Sequence, residues 1–253
     1  MGIAEALAIL AAAIGAGAIN AVVGSGSLIT FPTLLAFGLP PVVANVSNNT
    51  GLVPGNVSGV YGYRAELAGQ RARLTRLGLA SLAGGLTGAI ALLALPAAVF
   101  GFIVPVLILI ACVLVVAQPR LSAWVAARGA SHPEHGGPLL IAGVYLAAVY
   151  GGYFGAAQGV LLIGLLGIFW TDGLQRVNAG KNVLVTIVNG IAAVIFILIA
   201  HIDWVVVALI AGGSIVGGLI GARVGRRLPP LALRLIVVAV GLIAVVKLLF
   251  FPR

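Results

Sequence analysis

Three asparagines recur at one spacing in the two halves of the chain. Asn45, Asn49 and Asn56 lie at i, i+4 and i+11, and Asn178, Asn182 and Asn189 repeat the spacing 133 residues later. At about 100° per helical residue these intervals return to within about 40° of one face, so each set forms a stripe along one helix. An asparagine offers two N–H donors and a carbonyl acceptor, and can replace part of an anion's hydration. Lys181 sits between Asn178 and Asn182 and is one of two lysines in the chain. An ionisable group at membrane depth marks a functional position by default. Together these residues could recognise a small anion. Each also has a plainer use: a lone buried asparagine is ordinarily glue between helices, and a lysine in a first turn snorkels to the interface.

Two breaks of small residues supply a second set of polar groups. They are Gly24-Ser25-Gly26-Ser27 and Ala156-Ala157-Gln158-Gly159, and each precedes a short apolar segment, 28–37 and 160–170. At about 1.5 Å per residue such a segment reaches only about 15 Å as a helix, too short to cross a membrane. Irregular backbone at membrane depth is tolerated only where protein or water satisfies it. The N-terminus of a short helix favours anions through its free N–H groups and dipole, and Ser25, Ser27 and Gln158 add side-chain donors. A nucleotide-binding glycine loop is the obvious competitor, but no strand precedes either break.

Composition sets the solvent in which this chemistry takes place. Hydrophobic residues make up 62% of the 253 residues and charged ones 8%, against about a quarter charged in a soluble domain. With a mean hydropathy of +1.23, most of the chain must face lipid. Apolar stretches near 20 residues predict spans at 3–23, 45–63, 77–95, 99–117, 139–157, 178–200, 204–222 and 233–251. Glu5 and the lack of Lys or Arg before the first apolar run argue against a signal peptide, so that run is expected to stay as a helix. The net charge of +9 collects between spans, in Arg64, Arg71, Arg73 and Arg76, in Arg120 and Arg128, and in Arg223, Arg226 and Arg227. That is the positive-inside pattern of cytoplasmic loops. It excludes nucleic acid as a partner, since no basic face alternates with stacking aromatics.

The spans fall into two copies. The polar stretch 118–137 separates residues 1–117 from 138–253, and each half reads long helix, break, short segment, turn, then three helices. The third element of the first half ends at the Arg64–Arg76 loop, whereas its counterpart ends at His201-Ile202-Asp203, which has no Lys or Arg. The two therefore run in opposite directions. The predicted fold is an all-α polytopic membrane protein of two inverted-topology repeats, each a long helix plus a short broken or re-entrant helix followed by three transmembrane helices. Such architectures place substrate near the midplane at the repeat interface, where antiparallel stripes would bring Asn56 and Asn189 together. Gly84/Gly88, Gly213/Gly217/Gly221 and Gly221/Gly225 have the small-xxx-small spacing of tight helix packing. Glu5, Glu66, Glu134, Asp172 and Asp203 all fall at ends and loops, so no carboxylate stands ready as a proton or sodium relay, although Asp172 at a half-helix end could contribute.

At these residues the chain resembles the sulfite exporter TauE/SafE family, also called the four-toluene-sulfonate uptake permease family. The likeness rests on Gly24-Ser25-Gly26-Ser27-Leu28-Ile29-Thr30-Phe31-Pro32 followed by Gly38-Leu39-Pro40-Pro41, and on a second copy at Gly151-Gly152-Tyr153-Phe154-Gly155 through Gly159-Val160-Leu161-Leu162-Ile163. It covers nearly the whole chain. It departs from the glycine-heavy second motif at Ala156, Ala157 and Gln158, and has Trp170-Thr171-Asp172 where a Leu-Pro-Pro-like turn is common. The resemblance implies a multi-pass permease of a prokaryotic inner membrane that exports sulfite or an organosulfur anion without a cofactor. The departures bear on the particular substrate.

Three other readings are weaker. Ser25 or Ser27 with His201 could form an intramembrane hydrolase, but His201 lies at a helix end and no serine occupies the second break. Ser131-His132-Pro133-Glu134-His135 resembles a metal site but reads more simply as solvated linker, and the lone Cys112 offers neither a disulfide nor a metal framework. An assembly or receptor subunit that does not transport would share the same composition. The oligomeric state is left open.

Overall fold

The computed structural model describes residues 1–127 and 137–224, with 235, 238–243 and 245–246. Among the described residues every regular element is helical: α1 (Ile3–Val22), α2 (Ser27–Ala36), α3 (Pro41–Gly62), α4 (Arg71–Ala94), α5 (Ala97–Ala127), α6 (Pro138–Tyr153), α7 (Gln158–Phe169), α8 (Leu174–Ile199) and α9 (Trp204–Val224), with a 3-10 turn at Arg64–Leu67. Five of these, α1, α4, α8, α9 and the 97–117 stretch of α5, are long and apolar enough to cross a membrane. α3 is as long, at 22 residues, but carries an asparagine stripe. The short segments are the 10-residue α2 and the 12-residue α7.

Three expectations meet a different outcome. The span predicted at 139–157 ends at Tyr153 after 16 residues, because the break begins at Phe154. α5 continues through Pro119 to Ala127, so the first half of the 118–137 stretch is helix. The span predicted at 233–251 lies largely outside the described residues, as does the His132–His135 segment.

α1 and α6 end by the same device. The N–H groups of Val23 and Gly24 both donate to the Ile19 carbonyl at 2.7 and 3.1 Å, and those of Phe154 and Gly155 donate to the Tyr150 carbonyl at 2.9 and 3.4 Å. Gly24 at φ 85° and Gly155 at φ 78° occupy the left-handed conformation that such helix ends favour. The chain leaves each long helix and restarts in a short one, so the offset between the halves is 131 residues here. It becomes 133 at the asparagines because α7 is two residues longer than α2.

Glycines then set the helix pairs. A side chain on Gly213, Gly217 or Gly221 of α9 would strike the α1 backbone at Leu10, Ile14 or Ala18, and one on Gly84 or Gly88 of α4 would strike the α6 backbone at Tyr145 or Val149. Gly51, Gly55 and Gly62 of α3 face Ile210, Ser214 and Ala222 of α9, while Gly78 and Gly85 of α4 face Ile187 and Val188 of α8. Contacts that advance together along both helices make each pair parallel: α1 and α3 run with α9, and α6 and α8 run with α4. α3 and α4 leave and enter the arginine-rich turn at 64–71, so the two sets of helices point opposite ways.

The distribution of polarity suits lipid. Phe102, Leu198 and Ile199 are exposed, whereas the six stripe asparagines are buried, the reverse of a soluble core. Gly217→Leu should destabilise the protein by about 3 kcal/mol, the upper range for overpacking, because the added atoms meet backbone that cannot turn aside. Gly212 has nothing within 4 Å of a Cβ, so Gly212→Leu should stay within about 0.5 kcal/mol of the parent. Thermal unfolding in detergent checks both. Equal losses would remove the glycine-packing account.

Candidate functional site

The two breaks meet. The Gly159 N–H donates to the Gly24 carbonyl at 3.1 Å, and a side chain on either glycine would overlap the other's backbone. The carbonyls that each broken helix leaves exposed are then met from the opposite half. Asn178 and Asn182 of α8 donate through Nδ2 to the Ala21 carbonyl at 3.0 and 3.2 Å, and Asn45 of α3 donates through Nδ2 to the Tyr153 carbonyl at 3.0 Å. Ala21 and Tyr153 lie in the last turns of α1 and α6, one position apart across the 131-residue offset.

All ten residues singled out in the sequence are buried, from Ser25, Lys181 and Gln158 at 0–1% exposure to Asn56 at 8%. Lys181 is not in the first turn, because α8 starts at Leu174, and it does not snorkel. Its ammonium donates to the carbonyls of Asn20 at 2.9 Å and Ala21 at 3.5 Å, and its stem lies beside Gly159. Asn49 donates to Asn189 Oδ1 at 3.4 Å. The expected meeting of Asn56 with Asn189 is replaced by this pair, since Asn56 Oδ1 instead accepts from Asn20 Nδ2 at 2.6 Å. Ser27 opens α2, and Gln158 opens α7 with its amide packed over Gly151.

Asn20 was not picked out in the sequence. It joins α3 through Asn56 and α8 through its own carbonyl, and its Oδ1 accepts from the Gly26 N–H at 3.3 Å. Its counterpart across the 131-residue offset is Gly151, so a search for matched polar residues passes over it. Its place directly before the first break, in the last turn of α1, was the available signal.

Several polar atoms here have no hydrogen-bond partner: Ser25 Oγ, Asn49 Oδ1, Asn56 Nδ2, Asn178 Oδ1, and both amide atoms of Gln158. A buried polar group left unpaired costs about 1–3 kcal/mol, so such a cluster is a place for a polar ligand or for water. The N–H groups of Gly26 and Gly159 are already engaged. Ala157, in the second break, takes a left-handed φ of 60° without being glycine, and local strain of that kind gathers at functional sites.

The arrangement suits recognition more than bond chemistry. Ser25 Oγ has no partner, and among the described residues no hydrogen bond joins either break serine to the exposed His201. Nor do the described residues group three metal-binding side chains.

A second polar cluster lies at the arginine-rich end. Asp172, in the turn between α7 and α8, bonds Arg73 of α4 and Arg176 of α8 at 2.5 Å each. The guanidinium carbon of Arg73 lies 3.8 Å above the Trp170 ring. Gln70 Nε2 donates to the carbonyls of Glu66 at 2.6 Å and Arg176 at 3.1 Å. Burial works to raise the Asp172 carboxyl, but hydrogen bonds and charge from both arginines outweigh it and hold it below the ordinary aspartate range.

Apolar helices facing outward around buried, broken helices define a multi-pass membrane protein of the transporter kind. The chain belongs to the sulfite exporter TauE/SafE family, which matches residues 9–248. It is 25% identical over 216 residues to the probable membrane transporter protein YfcA of Escherichia coli K12, covering 84% of this chain and 76% of that one. It is 26% identical over 236 residues to a probable membrane transporter protein of Haemophilus influenzae, covering 92% and 89%. No solved structure matches it. The chain is thus a membrane transporter of that family and a multi-pass bacterial membrane protein.

Lys181→Met should leave the protein folded and at least as stable, because it removes a desolvated charge whose acceptors are only carbonyls. A loss above about 3 kcal/mol on thermal unfolding would make the ammonium a structural tie. For Asp172, a depressed folded value means that the clamp contributes stability above the unfolded aspartate value and loses it as pH falls through the folded one. The gap in melting temperature between the parent and Asp172→Asn should therefore hold from about pH 8 to pH 5 and close below roughly pH 4. A gap that closes near neutral pH would make Asp172 a proton carrier instead.

Proposed function

We propose that the chain exports a small oxyanion, sulfite or an organosulfonate, through the site where the two breaks meet. In this reading residues 1–117 and 138–253 are inverted repeats joined by a cytoplasmic linker at 118–137. Lys181 is the observation that carries the proposal. It is a fully buried ammonium that no carboxylate pairs with among the described residues, within a region of unpartnered amides and a free hydroxyl. A buried charge without a counter-ion is stabilised by an ion of opposite sign, and amide and hydroxyl donors are what an oxyanion accepts from. A cation would meet repulsion from the ammonium.

The helix directions support the inversion. α1 runs toward the arginine-rich end with α9, while its counterpart α6 runs away from it with α4. On the positive-inside pattern that end is cytoplasmic.

An anion leaving a cell with a negative interior gains about 2.3 kcal/mol per charge for each 100 mV, and a dianion about twice that. Export therefore needs no coupling ion, which suits a structure in which the Asp172 carboxylate is tied to two arginines. Proteoliposomes loaded with sulfite should release it when a potassium–valinomycin potential makes the lumen negative, and faster as that potential grows. Asn56→Leu and Asn189→Leu should stay folded and lose anion binding. Flux that ignores the potential at fixed pH but follows an imposed proton gradient would replace potential-driven export with coupled transport. Normal binding by both leucine variants would return the stripes to helix glue.

A further inference from the structure

The two mouths of the polar region are built from matched positions with unlike chemistry. At the arginine-rich mouth stand Arg73, Trp170, Asp172 and Arg176. The residues 133 positions away are Val206, Phe37, Leu39 and Val43. The second set is hydrocarbon: Val206 is buried, and Phe37 and Leu39 pack on the same core. The first set is an ionic clamp joining α4 of one half to the α7–α8 turn of the other.

That clamp has donors to spare. Its two guanidinium groups share the Asp172 carboxylate, and Arg176 also donates to the Glu66 carbonyl. Arg73 Nε and Trp170 Nε1 are buried N–H donors without a partner, and Trp170 is only 4% exposed. The ring is seated deliberately close, since a side chain on Gly180 would overlap it. A guanidinium binds a carboxylate and other oxyanions through the same planar pair of N–H groups. Asp172 thus occupies the arginines much as a tethered oxyanion would.

We propose that this clamp is a second oxyanion site, at which the arriving anion docks on Arg73, Arg176 and Trp170 Nε1 and displaces Asp172. Displacement breaks the Arg73–Asp172 ion pair that ties the two halves together at this mouth, so the anion itself loosens the way to the central site. The matched positions at the opposite end offer no such ligands. The proposal rests on the anion-transport reading for its biological sense, but its binding test does not need flux.

The test uses the full chain in detergent with Trp124→Phe and Trp204→Phe, which leaves Trp170 as the sole tryptophan. Methanesulfonate is titrated at constant ionic strength, with neutral dimethyl sulfone as control, and Trp170 emission is followed. Methanesulfonate should change the emission saturably and dimethyl sulfone should not. Asp172→Asn, which removes the resident competitor, should tighten the response about tenfold, roughly the weight of one charge-assisted hydrogen bond. Arg73→Gln should abolish it, and Arg73→Lys, which keeps the charge but not the planar pair, should weaken it while preserving the fold. Asn56→Leu, in the central site, should leave it unchanged. No saturable response in the parent, or no tightening in Asp172→Asn, would make the clamp a static tie. A saturable Trp170 response in a protein without flux would sink the export reading and leave this site standing.

Discussion

The structure depends on one constraint: two helices stop at membrane depth, and the peptide groups they leave open must find partners away from water. Gly24 and Gly155 let the chain turn at the ends of α1 and α6, but neither half closes its own break. Asn45 of the first half caps α6 at the Tyr153 carbonyl, and Asn178 and Asn182 of the second cap α1 at Ala21. The bond from Gly159 to Gly24 joins the breaks themselves. Each half is therefore incomplete without the other, in backbone hydrogen bonding as much as in packing. The glycine faces follow from this need, since α1 must lie close to α9, and α6 close to α4, for asparagines on the neighbouring helices to reach across.

Much of this could be read in the sequence because it is carried by types and intervals. The two short helices fell within one or two residues of their expected limits, since Gly-Ser and Ala-Gln runs interrupt otherwise unbroken apolar stretches. The asparagine stripes proved buried because a polar residue among so few has nowhere favourable to face but inward. What stayed hidden was pairing. Spacing places Asn56 and Asn189 on faces but does not fix how far two helices slide, and the slide chosen sets Asn49 against Asn189 and gives Asn56 to Asn20. α6 ends four residues before the limit that hydropathy predicts, because Phe154, Ala156 and Ala157 are apolar and hydropathy does not register a left-handed turn at Gly155. Lys181 reads as a first-turn lysine only if α8 starts at Asn178, four residues after its actual start. Moving that start to Leu174 carries the ammonium a full turn deeper.

The near-symmetry makes the departures from it informative. The position matching Lys181 is Asn48, whose Oδ1 accepts from Thr30 at 2.5 Å, so one half holds a charge where the other holds an amide closed on a neighbour. Asn20 matches Gly151, and the room opened at that glycine is filled by the Gln158 amide. Such exchanges keep each break packed while altering what it offers. One side offers an ammonium held by two carbonyls, and the other a neutral Gln158 amide with both polar atoms unpaired.

Under the proposed reading this unevenness bears on direction. Two identical half-sites would give an anion the same well on either side of the midplane, and only the membrane potential would tilt its path. A single ammonium bound to the end of α1 deepens one well. If the arginine-rich end is cytoplasmic, Lys181 lies on that side, because Asn178, one helical turn before it, is close to the start of α8. Anions are then collected from the cytoplasmic side by charge and passed outward to neutral amides that hold them less firmly. A potential of either size acts on a gradient of affinity already present in the protein. The hydrocarbon at the matched positions of the far end fits the same order, since a group leaving toward the positive side needs no further attraction. In that reading the unlike chemistry of matched positions, Lys181 against Asn48 above all, gives the path its preferred sense.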